Sequence, residues 1–424
     1  MGSGGRSVDF GAGTGALIKP AVTSPHHHAP HRFALTVLLA GLATLGPFSI
    51  DTYMPSFPDM GASLHATPIQ LQQTLSVYLL AFALMMLLHG ALSDAFGRRP
   101  VILVSLVAFV LASIGCVLSY DINHLLFFRG MQGLSAGAGM VVGRAIIRDL
   151  YAGHEAQRLM SQVTMIFGIS PAVAPVIGGW LQTGFGWHSV FVFMTLLGVL
   201  LFALSWRYLP ETLPPVGRHP FSPRPLARNY RMVFTNPKFL LLSGAVALHF
   251  AGFFLYIASA PVFVIQHLKL GESQFAWLFI PAISGVILGA FLSGRLAGRV
   301  APHTTVKYAY LLLFSAAGVN LVYNLAASPA LPWAVLPITL YSTGMSLAMP
   351  SITLLALDLF PLNRGLVASL QGFVQTMLNA LVAGAISPML SWSPIALASG
   401  MLLFLILGRL TWMTYLHKQR QTAS

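Results

Sequence analysis

The chain has 424 residues, of which 56% are hydrophobic and 8% are charged, and its formal net charge is +13. Because soluble domains carry about 25% charged residues, this composition excludes an ordinary soluble fold and indicates a protein of the lipid bilayer. The apolar segments are continuous rather than alternating, which disfavours a transmembrane β-barrel. The single cysteine, Cys116, excludes a framework of internal disulfides.

Twelve apolar segments follow an amino-terminal stretch, residues 1–32, that is rich in Gly, Ser, Pro and His and is predicted to be disordered. About 20 mostly apolar helical residues cross a bilayer core, so each segment is long enough to span it. The predicted spans one to twelve are 33–55, 70–92, 101–119, 124–147, 158–183, 188–209, 239–264, 273–295, 306–325, 332–357, 365–390 and 394–416.

A polar, Pro-rich interruption at 210–238 divides these spans into two sets of six, which suggests an internal repeat. We therefore predict an all-α integral membrane protein with twelve transmembrane helices in two six-helix bundles. The bundles comprise residues 33–209 and 239–416, the interruption is a central loop, and residues 417–424 form a tail.

Basic residues are distributed unevenly between the two sides of the predicted spans, and cytoplasmic segments are the ones enriched in lysine and arginine. The tails, the central loop and the even-numbered turns carry Arg6, Lys19, Arg32, Arg98, Arg99, Arg148, Arg158, Arg218, Arg224, Arg228, Arg231, Lys238, Arg299, Lys307, Arg364, Lys418 and Arg420. The opposite turns hold only Lys269. We expect both termini and the central loop in the cytoplasm and the protein in the inner (plasma) membrane. This distribution also explains the basic net charge without a nucleic-acid partner.

Span one ends in Ile50-Asp51-Thr-Tyr53-Met-Pro55, which places an acidic residue within membrane depth. Nearly all of the other nine acidic residues belong to turns or tails. An ionised carboxylate is costly in the membrane, so Asp51 is a candidate to take a proton from one side and release it to the other. The alternative is an interfacial aspartate that caps the helix end or is exposed.

A charged turn, Gly90-Ala-Leu-Ser-Asp94-Ala-Phe-Gly97-Arg98-Arg99-Pro, lies between spans two and three. The two glycines allow close helix approach and tight reversal. Asp94 can face a helix amino terminus, and the two arginines supply fork-shaped donors. Such a cluster can hold two helical bundles together, whereas the simpler interpretation is a generic positive cytoplasmic turn.

Span four contains Arg129-Gly-Met-Gln132-Gly-Leu-Ser-Ala-Gly-Ala-Gly139. An arginine inside an apolar helix is costly, so Arg129 either faces a cavity or a partner, or extends to the nearby membrane surface. The small residues at a spacing of four permit close helix packing. Arg144, about four turns further on, is expected to extend to the cytoplasmic surface.

Span five contains two prolines and two glycines in mid-membrane, namely Pro171, Pro175, Gly178 and Gly179. Prolines bend a helix because they lack the backbone N–H, and glycines thin its packing face. The sequence therefore predicts a helix that bends and that packs closely against its neighbours.

Several side chains in the spans are candidates to line a substrate cavity. Gln371, Gln375 and Asn379 recur every four residues and share one helix face, although interhelical hydrogen bonding explains that pattern equally well. The predicted cavity residues are Tyr53, Tyr78, Gln132, Phe253, Phe254, Gln371 and Gln375.

Two motifs of other chemistries are missing from the sequence, namely the Gly-x-x-x-x-Gly-Lys-Ser/Thr phosphate loop and the His-Glu-x-x-His zinc pair. We therefore expect neither an ATP-driven pump nor an enzyme. We expect no metal and no cofactor other than protons as the coupling ion. The expected partners are a small-molecule substrate and membrane lipids, and the expected oligomeric state is a monomer.

Together these segments resemble the twelve-span drug:proton antiporters of the major facilitator superfamily, over nearly all of residues 33–416. The charged turn is similar to the family's signature loop, Arg129 with Gln132 to its second motif, and the span-five segment to its antiporter motif. The last departs from the family pattern at Ala174, where Gly is usual. The end of span one and Ala174-Pro175 resemble the bicyclomycin/chloramphenicol-resistance (Bcr/CflA) branch.

The resemblance implies export of small, amphiphilic, often antibiotic-like compounds in exchange for protons, by alternating access. It implies that Asp51 and Arg129 face the central cavity, where Asp51 carries the proton and Arg129 biases its ionisation. It also implies that the signature turn pairs with the start of span eleven, with Arg364 within reach of Asp94. The residues assigned to this conformational latch are Gly90, Asp94, Gly97, Arg98, Arg99 and Arg364.

Other functions remain open at this point. An uptake symporter or a metabolite exporter of the same family would share the fold. A channel would need a continuous polar lining, and an integral-membrane enzyme would need a catalytic cluster.

Overall fold

A computed structural model describes residues 1–2, 32–218 and 221–421 of the chain. Within these ranges, twelve helices are long and apolar enough to cross a membrane. They are α1 Arg32–Asp51, α2 Pro68–Phe96, α3 Arg98–Val117, α4 Ile122–Leu150, α5 Gly153–Phe185, α6 His188–Tyr208, α7 Pro237–Ala258, α8 Ala276–Leu296, α9 Pro302–Ala326, α10 Leu336–Asp358, α11 Arg364–Leu390 and α12 Pro394–Gln421. The predicted all-α fold with twelve spans is confirmed. The disordered tail predicted for 1–32 lies outside the described residues apart from its two ends.

Helix starts coincide with capping residues supplied by the sequence. Before α2, Thr67 Oγ1 accepts a hydrogen bond from the Gln70 N–H at 3.3 Å, and Gln70 Oε1 accepts from the Thr67 N–H at 2.9 Å. Before α4, Asp121 accepts from the His124 N–H at 2.8 Å. These bonds satisfy donors that a helix start leaves free, so they fix where the polar turns end.

Helices α1–α6 and α7–α12 form two bundles. The main pairs in the first bundle are α1 with α5, α2 with α4, and α3 with α6; in the second they are α7 with α12, α8 with α10, and α9 with α10. The bundles meet along two seams, α2 with α11 and α5 with α8.

The connections between successive helices lie alternately at the two ends of the molecule. We call the end with Gly97, the α4–α5 connection and the 209–236 segment the turn end, and the opposite one the far end. Toward the far end the bundles are bonded to each other. Gln72 Nε2 of α2 donates to Ser387 Oγ of α11 at 3.1 Å, and Ser76 Oγ donates to the Ala380 carbonyl at 2.7 Å.

The central segment contains a helix that touches both bundles, Pro223–Phe234, which we call the connecting helix. Burial raises the pKa of the Tyr230 phenol, which donates a hydrogen bond to the Leu87 carbonyl of α2 at 2.5 Å. The ring of Phe234 lies 6.1 Å from that of Phe373 on α11. The predicted central loop is therefore partly helical and packed.

Two predicted boundaries differ from the structure. The first span, predicted as 33–55, is interrupted: α1 ends at Asp51, and the chain continues through one 3-10 turn, Met54–Ser56, into a short helix, Phe57–Ser63. Helix α12 continues to Gln421, so most of the predicted 417–424 tail is helical. The polar residues near the end of α12 end its apolar stretch, but they do not end the helix.

Candidate functional site

A cavity of about 370 Å³ lies between the two bundles. This volume falls in the range of small-molecule sites, about 300 to 1,000 Å³. It is lined by Pro47, Ile50, Asp51, Leu79, Phe82, Met86, Met140, Arg144, Phe167, Gly168, Pro171, Phe250, Phe253, Phe254, Ile257, Phe279, Ile283, Val286, Ala368, Gly372, Gln375, Thr376 and Asn379. Both bundles contribute, so relative movement of the bundles changes its shape.

Asp51 is the last residue of α1 and lines this cavity. Pro47, one turn earlier, lies inside the helix and has no N–H to donate, which weakens the helix near its end. The Asp51 side chain is 3% exposed, and its Oδ1 atom has no hydrogen-bond partner among the described residues. A buried carboxylate without a partner is costly when ionised, so protonation or a bound cation relieves that cost.

Arg129 is fully buried, between two aromatic rings. Its guanidinium carbon lies 4.2 Å from the Tyr53 ring centre and 4.4 Å from that of Tyr78. Its Nη1 donates to Gln132 Oε1, whereas Nε and Nη2 have no partner in the described part of the chain. Cation–π contacts in a desolvated site are worth about 2 kcal/mol each, which holds the guanidinium there.

Arg129 is not among the residues that line this cavity, whereas the resemblance implies that it faces the central cavity as Asp51 does. The two tyrosine rings enclose its guanidinium and stabilise the positive charge through cation–π contacts. The surface-reaching alternative for Arg129 is also excluded, because the side chain has no exposed area.

Three other predicted cavity residues belong to this buried cluster instead of lining the cavity. Tyr53 Oη lies 3.1 Å from Thr74 Oγ1, and Tyr78 Oη donates to the Gly46 carbonyl at 3.3 Å. Gln132 Nε2 donates to Ser113 Oγ at 2.8 Å. These hydrogen bonds hold the three polar groups so that they point into the core of the first bundle.

The second bundle contributes three other residues that were predicted to line a substrate cavity. Phe253, Phe254 and Gln375 line the cavity. Gln371, one turn before Gln375, is buried away from it, and its Nε2 has no partner within the described ranges. Asn379 lines the cavity, and its buried Oδ1 has no hydrogen-bond partner in the part of the chain that the structure describes.

Arg144 is a cavity residue that the sequence reasoning missed. It was expected to extend to the membrane surface, but it lines the cavity. Among the described residues it forms neither an ion pair within 4.0 Å nor a hydrogen bond. A second basic residue one helix turn before Arg148 was the available signal, since only one of the two is needed at the helix end.

The charged turn is tied to its own bundle and to the segment after α6. Arg98 pairs with Asp94, and its Nε also donates to Asp149 Oδ2 at 3.1 Å. The Arg98 N–H donates to Glu211 Oε1 at 3.0 Å. Arg99 Nη2 donates to the Trp206 carbonyl at 2.6 Å.

Gly97 and Gly90 meet different demands in this turn. Gly97 has φ +102°, and a Cβ there would lie 2.8 Å from Arg218 Nη2, so this turn requires glycine. Gly90 sits inside α2, where a Cβ would only touch Val141 at 3.9 Å.

The predicted pair between Arg364 and Asp94 does not form. Arg364 Nη2 instead bonds Asp358 Oδ1 at 2.9 Å, at the adjoining end of α10 in its own bundle. Local partners within six residues satisfy both ions, since Asp94 is already paired with Arg98. The predicted latch between the bundles is therefore replaced by two ion pairs, each of which forms within one bundle.

The proline–glycine segment of α5 lies where three elements meet. Pro171 lines the cavity, and Pro175 lies one turn further along the same uninterrupted helix. A Cβ at Gly178 would collide with the Thr52 carbonyl oxygen, and one at Gly179 would lie 2.6 Å from the Glu272 carbonyl oxygen. These glycines let α5 touch the end of α1 and the start of α8 at once.

One pentapeptide in α4, Gly133-Leu-Ser135-Ala-Gly137, has the spacing of a hydrolase nucleophile elbow. The elbow needs a strand-to-helix turn, but here the segment lies within a helical span. Ser135 Oγ donates to the Gln132 carbonyl at 2.9 Å, so the hydroxyl is engaged with its own helix.

The family model described as Major Facilitator Superfamily matches residues 38–388. The MFS-type transporter YdgK of Bacillus subtilis (strain 168), described as uncharacterised, is 32% identical over 356 residues, which are 83% of this chain and 88% of YdgK. The bicyclomycin resistance protein homolog of Haemophilus influenzae is 29% identical over 282 residues, 66% of this chain and 71% of that protein. Multidrug resistance protein D of Escherichia coli (strain K12) is 29% identical over 355 residues, 82% and 87% of the two chains.

Two solved structures share the fold at low sequence identity. A bacterial homologue of the human lysosomal transporter Spinster, in an inward-facing and occupied conformation, gives a TM-score of 0.68 at 18% identity, covering 92% of this chain and 97% of that one. The human organic anion transporter MFSD10 gives 0.64 at 20% identity, covering 89% and 99%.

Proposed function

Because the chain belongs to the major facilitator superfamily of multi-pass membrane transporters, we propose that it exports small amphiphilic compounds, antibiotics among them, in exchange for protons. The observation that carries the proposal is the buried side chain of Asp51 in a cavity between the bundles, whose Oδ1 has no hydrogen-bond partner among the described residues. The relatives named for bicyclomycin and multidrug resistance support this class of substrate.

Transport proceeds by alternating access, with the bundles rocking about the two seams. Opening toward the far end requires the Gln72–Ser387 and Ser76–Ala380 bonds to separate. Each is an ordinary hydrogen bond with a net contribution of about 1 kcal/mol, so exchange between states is reversible.

Asp51 couples this movement to protons. Ionised, it is an uncompensated charge at the cavity wall, and a substrate group or a proton relieves that cost. The two compete for one carboxylate, so a proton arriving from outside releases the substrate there. Arg129 acts from behind the wall: it holds Tyr53, two residues after Asp51, in place through a cation–π contact.

The turn end faces the cytoplasm in this proposal, and the protein lies in the inner membrane with both termini inside. The basic residues at the turn end support this orientation through the positive-inside rule. We propose a monomer with protons as its coupling ion and no further cofactor, since one bundle pair already encloses a cavity of suitable size.

The test is transport in everted membrane vesicles, with a susceptibility panel that includes bicyclomycin and chloramphenicol in an efflux-deficient host. Asp51→Asn should remain in the membrane, reduce proton-driven export to the level of empty vesicles and abolish resistance. The control is Asp358→Asn, which removes an exposed carboxylate at the end of α10 and should transport normally.

Full resistance in cells that carry Asp51→Asn would overturn the coupling role of this residue. Substrate and protons moving in the same direction in wild-type vesicles would favour an uptake symporter instead.

A further inference from the structure

One charged group of the cavity, Arg144, has no role in the proposed mechanism. Of the residues that line the cavity, Asp51 and Arg144 are the two whose side chains can carry a charge at neutral pH. Asp51 carries the proton, whereas Arg144 has no carboxylate within 4.0 Å in the described part of the chain. Arg144 lines the cavity with an exposed side chain, so its guanidinium is available to a ligand that supplies the counter-ion.

The chemistry of the guanidinium defines that ligand group. Its planar fork of N–H donors matches the two oxygens of a carboxylate, and such bonds are about twice as strong as neutral ones. The neighbouring arginine, Arg148, lies one helix turn away and adds positive potential. The Arg144 side of the cavity therefore favours an acidic group.

The remaining wall favours an apolar body with polar atoms. Four phenylalanines face the space from the second bundle, among them Phe250 and Phe279. Asn379 presents a buried Oδ1 that lacks a donor, and Gln375 lies one turn before it on α11. An amide N–H or an ammonium group of a ligand would satisfy this oxygen.

We propose that this cavity selects zwitterionic amphiphiles, with Arg144 as the residue that recognises their carboxylate. Asp51 in its ionised form binds the ammonium group, and the phenylalanines bind the apolar body. The inference rests on the proposed function, because it uses the ionised and protonated forms of Asp51.

The charge balance of the cavity explains why a zwitterion suits proton antiport. With Asp51 ionised the two lining charges sum to zero, and a zwitterion complements both. Protonation of Asp51 removes the partner of the ammonium and releases the ligand. An anion would bind better after that protonation and would travel with the proton, whereas a cation is repelled by Arg144.

Four derivatives of one peptide test this selection. Phenylalanyl-phenylalanine is a zwitterion at neutral pH, its carboxyl amide is a cation, its N-acetyl form is an anion, and the N-acetyl amide is neutral. Equilibrium binding of each to the full chain in lipid nanodiscs, measured by calorimetry, gives four affinities. The wild type should bind the dipeptide at least about tenfold more tightly than its amide, the loss expected for one charge-assisted bond.

Two arginine variants assign the effect to one side chain. Arg144→Gln should equalise the affinities for the dipeptide and its amide, while Arg144→Lys should retain part of the difference. The matched control is Arg295→Gln on α8, an exposed arginine 5.3 Å from the Phe291 ring and outside the cavity lining, which should keep the full difference.

Equal affinity of the wild type for all four peptides would overturn the proposal, as would an equal loss in Arg295→Gln. The wild-type ranking decides the question even when Arg144→Gln fails to fold. Binding is measured without transport, so a protein that ranks the peptides as expected but exchanges no protons would overturn the proposed function and leave the cavity selectivity standing.

Discussion

The two bundles give the cavity different chemistry. The first bundle supplies both ionisable lining residues, Asp51 and Arg144, whereas the second supplies four phenylalanines and the uncharged polar groups of Gln375, Thr376 and Asn379. Under the proposed function, this difference divides the roles: the first bundle responds to protons and ligand charge, and the second recognises shape and hydrogen-bonding groups.

The same contrast appears in the buried polar clusters behind the cavity. In the first bundle, Arg129 is enclosed by tyrosine rings and lacks an ion pair among the described residues. In the second, Asn320 Nδ2 donates to Tyr256 Oη at 2.8 Å and approaches the Met401 sulfur at 3.7 Å. The first bundle therefore buries a charged side chain, whereas the second buries a neutral one that is fully engaged in packing contacts.

The largest effect is expected from exchanging each of these polar residues for methionine. Arg129→Met should abolish transport while leaving the melting temperature unchanged or higher, because it removes a buried charge and its thioether packs well against tyrosine rings. Asn320→Met should lower the melting temperature and leave transport intact. It removes a neutral hydrogen bond worth about 1 kcal/mol but removes no charge. Thermal unfolding in detergent and vesicle transport measure the two properties separately.

An Arg129→Met variant that transports normally and has a lower melting temperature than the wild type would contradict the proposed contrast. Equal loss of transport in the two variants would show that both clusters serve transport in the same way.

A moderate effect is expected from the two glutamines that were both predicted to line the cavity. Gln375→Leu should raise KM for polar substrates about threefold to tenfold, the loss of one ligand hydrogen bond, with little change in melting temperature. Gln132→Leu should lower the melting temperature, because Ser113 and Arg129 lose their partner. Similar KM changes in both variants would place Gln132 in the substrate path after all.

The smallest effect is expected from Arg364→Gln. Its ion pair with Asp358 joins side chains that are 60% and 61% exposed, and such pairs contribute about 0 to 1 kcal/mol. Transport should stay within about twofold of wild type. Arg98→Gln is the informative comparison and should impair transport or expression, since it leaves Asp94 and Asp149 without their shared partner.

Most of the fold follows from local sequence properties. Continuous apolar runs mark all twelve spans, and the caps at Thr67 and Asp121 mark where two of them begin. Asp51 stood out as an acid in an apolar run, and the structure places it at the cavity.

The errors concern contacts between distant segments. The enclosure of Arg129 requires Tyr53, in the bend after α1, and Tyr78 of α2, and no spacing along one helix reveals it. The predicted Arg364–Asp94 pair failed because each ion finds a partner within six residues. Arg144 was misplaced because its position near a helix end does not show which side of the helix faces the cavity.

The connecting helix has a mechanical consequence for the whole transporter. Tyr230 is bonded to α2 of one bundle, and Phe234 packs near Phe373 on α11 of the other, across the same seam. Any widening of that seam must strain or break one of the two attachments. We expect these two attachments to act as a tether that limits how far α2 and α11 can separate, and so how bulky a departing molecule can be.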